Sequence, residues 1–178
     1  DKVCGMKWVS VFPTNVFKGI QNVTGIMVIS EIETGFPLAV IDGTLCTKIR
    51  TAAVVCVAAQ YLAPTNVETL EEARMHFTLL KHLFPSIKEC RVSSRKQESE
   101  ELFIAKFKDL TPDVKFVACG NDSHKCAVDS DIIVTAISSQ APVLRAEDIT
   151  KGSLYIHVGG WEDEYGVALK ANKIVCDD

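Results

Sequence analysis

The strongest constraint on how this chain folds is the run DIIVTA at residues 131–136. It is short, nearly continuous in its apolar residues, and lacks the in–out alternation of a sheet with one face in water. A strand of that kind has both faces covered, as in parallel sheets layered with helices. Its surroundings agree. Residues 71–84 read as an amphipathic helix, with Ala73, Phe77 and Leu80 at helical spacing. Residues 89–92 read as a strand, 99–110 as a helix, 114–118 as a strand and 153–158 as a strand ended by Gly159-Gly160. Residues 171–176 read as a last strand. Helices alternating with short apolar strands predict a parallel α/β sheet.

The first third reads differently. In residues 6–12, MKWVSVF, Lys7, Val9 and Val11 share one face of a strand and Trp8, Ser10 and Phe12 the other. Pro13-Thr14-Asn15 ends it. Residues 25–29 and 37–41, around a turn at Glu33-Thr34-Gly35, make two more strands of an antiparallel set. A helix over 47–62 follows, capped by Thr47, with Arg50 in its first turn. Every residue from 52 to 59 is apolar, so this helix is expected to be buried on nearly all sides. A helix N-terminus carries partial positive charge and disfavours a guanidinium unless an anion is near. That anion is either a bound carboxylate or phosphate, or one of the chain's own acids. Lys7, half-buried on this reading, either snorkels to solvent or is held toward an anion.

A chain of 178 residues holds one domain or one and a half. A net charge of −4 argues against a nucleic-acid partner. No uninterrupted apolar run approaches the ~18 residues that cross a membrane. The start at Asp1, without Met or signal peptide, and the stop just after KIVC read as a piece cut from something longer. Seven cysteines, with no CxxC and no Cys/His ligand spacing, read as buried thiols in a reducing compartment. The expectation is a cytoplasmic protein with no disulfide and no structural metal.

An open parallel sheet binds ligands beyond the C-terminal ends of its strands. Three ends stand out. After Val92 come Ser93, Ser94, Arg95 and Lys96, where a dinucleotide fold reads the adenosine ribose. An acid there bonds a 2′-hydroxyl, whereas donors and positive charge suit a 2′-phosphate; the alternative is a solvated basic loop. Thr135, Ala136, Ile137 and Ser138 are small or polar and either admit a ligand to the backbone or form an ordinary turn. Val158-Gly159-Gly160 allows close backbone approach, and Glu162, Asp163 and Glu164 follow. These acids either serve as a general acid/base or sit at a helix N-terminus that favours them. The four histidines show no pairing in the sequence; only His157, beside the third strand end, draws notice.

These segments together resemble a known family. KWVSVFPTN, GIMVISEIETGFPLAVIDGTLCTKIRTAAVVCVAAQYLA, DIIVTAISSQAPVL and HVGG are similar, nearly end to end, to the ornithine cyclodeaminase/μ-crystallin family. The resemblance implies an NAD(P)-dependent enzyme acting on a small amino or cyclic imino acid. Its alternative is a non-catalytic NADPH-binding protein of crystallin type. It implies a Rossmann-type domain, here 63–178, plus part of an α+β substrate-binding and dimerisation domain, here 1–62, in a homodimer. By matched position, Lys7 and Arg50 bind the substrate carboxylate. Ser94 and Arg95 resemble a 2′-phosphate site, favouring NADP over NAD. Thr135, Ala136 and Ser138 line the cofactor, and Val158 and Gly159 lie at the nicotinamide. Two departures stand against the pattern. Trp161 occupies the place of the family's catalytic aspartate, leaving Glu162 or Asp163 for that role. No glycine occurs between Gly43 and Gly120, so about six residues of strand and glycine turn are absent at the Leu70/Glu71 junction.

Overall fold

Alternation in the first forty residues yields a three-stranded antiparallel sheet, β1 (Val3–Val11), β2 (Val23–Glu31) and β3 (Pro37–Asp42), in the order β1-β2-β3. Lys7 pairs with Met27, and Met27 with Ile41. The β2–β3 turn is built by Glu31, whose carboxylate accepts from Thr34 N at 2.8 Å, Thr34 Oγ1 at 2.5 Å and Glu33 N at 3.1 Å. Gly35 completes it at φ +71°, a region where a side chain is strained. The computed structural model describes residues 3–71, 74–137, 139 and 141–176. They form two compact units, 1–52 and 53–178. The division falls inside the first helix, before the boundary expected at 62/63.

That helix, α1 (Thr44–Leu62), begins one turn earlier than expected. The Asp42 carboxylate accepts from Thr44 N at 2.6 Å and takes the capping role. Thr47 instead donates its hydroxyl to Gly43 O at 2.7 Å from within the first turn. A charged acceptor at Asp42 outcompetes a neutral hydroxyl. Arg50 therefore sits in the second turn, away from the loose N–H groups. Nor is α1 buried all round. Ala52, Val55 and Ala59 are buried, whereas Val54, Val57 and Tyr61 are exposed. By length and hydropathy alone α1 is sufficient to cross a membrane, which a search for uninterrupted apolar runs overlooks. Val55 and Ala59 pack into the core of the second unit.

The second unit is a five-stranded, wholly parallel sheet. Its strands are β4 (Thr69–Glu71), β5 (Glu89–Val92), β6 (Lys115–Ala118), β7 (Ile132–Thr135) and β8 (Leu154–His157), in the order β6-β5-β4-β7-β8. The helices are α2 (Arg74–Leu83), α3 (Gln97–Phe107), α4 (Ser123–Ala127) and α5 (Tyr165–Lys170). All four residues of β7 are buried, as DIIVTA predicts. The strand order reverses between β4 and β7, which makes the crevice beyond their ends the expected ligand site. A cluster of Phe77, Phe103, Phe107 and Phe116, with ring centroids 4.9–6.1 Å apart, fills the core beside β6. The Asp131 carboxylate pins the start of β4, accepting from Glu68 N at 2.8 Å and Thr69 N at 2.9 Å.

Two expectations fail here. Residues 171–176 form no strand; they are exposed, and no ladder partner is found among the described residues. Residue 71 belongs to β4 rather than to α2. Leu70 and Glu71 are successive residues of one strand, opposite Ile132 and Ile133. The strand is nonetheless short. β5 runs one residue and β7 two residues past the positions opposite Glu71.

Glu89 joins the edge of this sheet, with Oε1 2.7 Å from Arg91 Nε and Oε2 2.7 Å from Lys115 Nζ. Hydrogen bonds from Lys115 and then Arg91 hold its carboxyl below the ordinary value of 4.5. A lowered folded-state pKa contributes stability that is present above the ordinary value and is lost as pH falls through the lowered one. Glu89→Gln is therefore expected to be less stable than the parent by about 1 kcal/mol at neutral pH. The deficit should close below pH 4.5. Urea midpoints across that range check it, and a pH-independent deficit contradicts it.

Candidate functional site

In the first unit, Lys7 lies mid-strand in β1 and Arg50 on α1, and both side chains are exposed. Lys7 is thus not half-buried. Neither makes an ion pair among the described residues, so the internal acid considered for Arg50 is not found there.

At the end of β5 the loop 93–96 is fastened to the end of β6. Ser93 Oγ donates to Gly120 O at 2.9 Å, and Ser94 N lies 3.0 Å from the same oxygen. Arg95 and Lys96 are exposed. The sequence places no acid in this loop, yet the fold brings one. Glu100, fully buried in the first turn of α3, reaches back to accept from Ser94 N at 2.9 Å. Its place in the helix N-terminus is favourable for an acid. The Ser94 hydroxyl accepts from Lys96 N at 3.3 Å and keeps its own proton to donate.

The densest arrangement lies at the ends of β7 and β8, where Thr135 stands opposite His157. Glu162 is fully buried there. Its Oε1 accepts from Ile137 N; its Oε2 accepts from Thr135 Oγ1 at 2.8 Å and Gly159 N at 2.9 Å. A buried carboxylate survives only with such donors. Its main-chain oxygen also accepts from Val143 N at 2.8 Å and Leu144 N at 3.1 Å. Glu162 thus ties the loop after β7 to the loop after β8, with neither carboxylate oxygen left over. Asp163 is different. Its Oδ1 lies 2.5 Å from His157 Nδ1 and accepts from the Tyr155 hydroxyl at 3.1 Å. Burial pushes the Tyr155 phenol far up from its ordinary value, only partly opposed by its hydrogen bond with Thr135, so it stays protonated. Trp161, beside them, is exposed and held at φ +56°, a strained conformation for a bulky residue.

Of the residues singled out in the sequence, Thr135, Ala136, Val158, Gly159, Glu162 and Asp163 come together at these strand ends, and Ser94 and Arg95 stand at the end of β5. Ser138 lies outside the described residues. Sequence reasoning missed Glu100, Tyr155 and the pairing of two histidines. His157 bonds Asp163, and His124 Nδ1 lies 2.7 Å from buried Asp148. Tyr155 could have been found from its place two residues before His157, on the same strand face.

At two ends the described residues are compatible with a dinucleotide: Ser94 and Arg95 offer donors at one and Ala136 a small side chain at the other, whereas the open side of Gly159 is filled by Glu162 and the Ile137 carbonyl. The middle fits less well. Residues 72 and 73, which separate β4 from α2 where a dinucleotide fold cradles the pyrophosphate, lie outside the described residues, and neither is glycine.

Known proteins with the same architecture agree with this picture. The chain is 31% identical over 184 residues to the alanine dehydrogenase of Archaeoglobus fulgidus, covering 98% of this chain and 55% of that protein. A solved archaeal alanine dehydrogenase dimer with bound NAD matches at 30% identity and a TM-score of 0.73, over 86% of this chain and 48% of its own. The Thermococcus litoralis Delta(1)-pyrroline-2-carboxylate reductase, solved with NADH and L-proline, shares the fold with a TM-score of 0.85 at 23% identity, over 91% of this chain and 53% of its own. The chain spans about half the length of the curated relatives it matches. The model of the ornithine cyclodeaminase/mu-crystallin family matches residues 1–168, and this chain belongs to that family.

Proposed function

We propose that this chain is part of an NAD(P)-dependent oxidoreductase or cyclodeaminase acting on a small amino acid or a cyclic imino acid. The observation that supports it most is the polar cluster at the ends of β7 and β8, beside the point where the strand order reverses. In this reading Lys7 and Arg50 hold the substrate carboxylate. Ser94 and Arg95 take the ribose end of the cofactor, and Thr135, Ala136, Ser138, Val158 and Gly159 lie along it. A bound dihydronicotinamide supplies the hydride; the protein supplies orientation and charge. The two acids divide their work. Glu162, with both oxygens engaged, holds the loops, and Asp163 takes part in proton movement. A homodimer accords with the apolar side chains that the first sheet leaves exposed, among them Met6, Trp8, Leu38 and Val40. The cysteines are not all buried as expected: Cys90, Cys119 and Cys126 are, but Cys4, Cys46 and Cys176 are exposed and Cys56 is intermediate, so a reducing, cytoplasmic setting is supported only by the three in the core.

The test is oxidation of NADPH and NADH by the intact protein with a panel of cyclic ketimines, and of 2-oxo acids with ammonia. Turnover of one class is expected; none with any member overturns the reading. NADPH is the favoured cofactor, because Arg95 and Lys96 are exposed cations at the ribose end. Arg95→Ala is expected to weaken NADPH binding about 10-fold, while NADH affinity stays within about twofold. Equal losses for both cofactors in a fluorescence titration contradict the 2′-phosphate role.

A further inference from the structure

His157 is the member of the strand-end cluster to which the proposed function gives no task. The titratable groups facing it are Asp163 and Glu162 from the following loop, with Tyr155 on its own strand at a ring separation of 6.3 Å. Glu162 is fully covered and the Asp163 side chain is 15% exposed, whereas the His157 side chain is 38% exposed. It is the member through which a proton can pass between the buried carboxylates and the space beyond the strand ends.

The ring is held at both nitrogens. Nδ1 lies 2.5 Å from Asp163 Oδ1; Nε2 lies 3.2 Å from Gly159 O and 3.6 Å from Glu162 Oε2. Carbonyl and carboxylate oxygens only accept, so a proton on Nδ1 is donated to Asp163 Oδ1 and one on Nε2 to Gly159 O, while Glu162 Oε2 at 3.6 Å is too far to accept it. The two protons are not equivalent. The one on Nδ1 is fixed by a short bond to a carboxylate, which in turn is held by Tyr155. A proton on Nε2 has a main-chain carbonyl as its nearest acceptor, a weaker hydrogen bond than one to a carboxylate and more readily exchanged for a substrate atom.

We propose that His157, oriented by Asp163, passes the proton to and from the substrate nitrogen. The inference rests on the reading of an imine or amine substrate above. As the imine carbon gains a hydride, the C=N π pair moves to nitrogen, which takes the Nε2 proton. The ring is left neutral, with the remaining proton on Nδ1 and donated to Asp163, and solvent reprotonates Nε2. In the other direction the amine gives its proton to Nε2 as the hydride leaves carbon. Glu162 fixes Gly159, whose carbonyl faces Nε2, and so sets where the ring points.

The test compares the intact protein with His157→Ala, His157→Gln and Asp163→Asn. In the cofactor-free parent, a downfield imidazole N–H proton signal is expected that both His157 variants lack and Asp163→Asn shifts. His157→Ala and His157→Gln should bind NADH within about twofold of the parent while turnover falls ~100-fold or more. Imidazole added to His157→Ala should restore part of it, which a purely structural role does not allow. Far-UV circular dichroism identifies a variant that fails to fold, and the glutamine variant, of similar volume, guards against that outcome. NADH binding intact with turnover within threefold of the parent in both His157 variants overturns the assignment alone. A parent that binds neither NADH nor NADPH overturns the functional reading beneath it, and the assignment falls with it.

Discussion

Gly159→Ala is expected to unfold at markedly lower urea and to lose about 100-fold in turnover. A Cβ on Gly159 would meet Glu162 Oε1 and the Ile137 carbonyl oxygen at 2.3 Å each, and Glu162 Cδ at 2.7 Å. These are far inside contact distance, and neither neighbour can give way cheaply. The carbonyl is backbone, and the carboxylate is fully buried with its oxygens committed to Ile137, Gly159 and Thr135. Moving it leaves two buried N–H groups and a hydroxyl without an acceptor, at about 1–3 kcal/mol for each group left unsatisfied. A total loss of ~3 kcal/mol is a fair expectation, since part of the strain is relieved by loop movement. The turnover loss follows from displacing a reacting geometry by about 1 Å. Gly160 is the control. A Cβ there meets no heavy atom within 4 Å, so Gly160→Ala should be close to neutral in stability. If the two variants unfold alike, the crowding at Gly159 does not govern the site.

Arg50→Ala is expected to raise KM for the amino or imino acid about 100-fold, with kcat and NADH affinity little changed. Removing one partner of a charge-assisted pair costs about 2–5 kcal/mol, and an interaction made equally in ground and transition states appears in KM. Arg50→Lys should recover only part, because an ammonium lacks the planar fork that matches a carboxylate. The helix dipole is no part of this expectation, for Arg50 stands in the second turn of α1 and not at its N-terminus. Lys7→Ala should act in the same direction. A KM within threefold of the parent in Arg50→Ala removes Arg50 from the carboxylate site.

Much of the fold is legible in the chain because it rests on short-range patterns. The apolar continuity of residues 131–136 marks a strand covered on both faces, and β7 is that strand. The period-two pattern around Lys7 and the Glu33-Thr34-Gly35 turn foretell β1, β2 and β3. Failures arise where two local signals compete or where a partner is required. Thr47 is a good cap by type, but Asp42, five residues upstream, is a better acceptor and starts the helix earlier. Residues 171–176 have the composition of a strand, but a strand exists only where a neighbour supplies the ladder.

The site is legible in its parts and not in its assembly. Thr135, Gly159 and Glu162 can each be picked out from composition near a strand end. That Glu162 reaches back 27 residues to Thr135, and Glu100 back 6 residues to Ser94, is decided by how α3 and the loop after β8 pack. The sequence at Ser94-Arg95-Lys96 shows no acid at the end of β5, and the fold brings Glu100 to it.

The central strand also sets an order in time. β4 takes its first ladder from β5, twenty residues along, but its second comes from β7, and Asp131 reaches Thr69 across a separation of 62 residues. Closing a loop of that length costs about 3.7 kcal/mol beyond a constant term. With only three residues, β4 has little else to repay it. On a ribosome adding about 5–20 residues per second, roughly 3–12 s pass between the emergence of Thr69 and that of Asp131. During that interval β4, β5 and β6 can associate with one edge of β4 bare. A chain halted before residue 131 therefore offers that edge, with Leu70 on it, to any neighbouring strand.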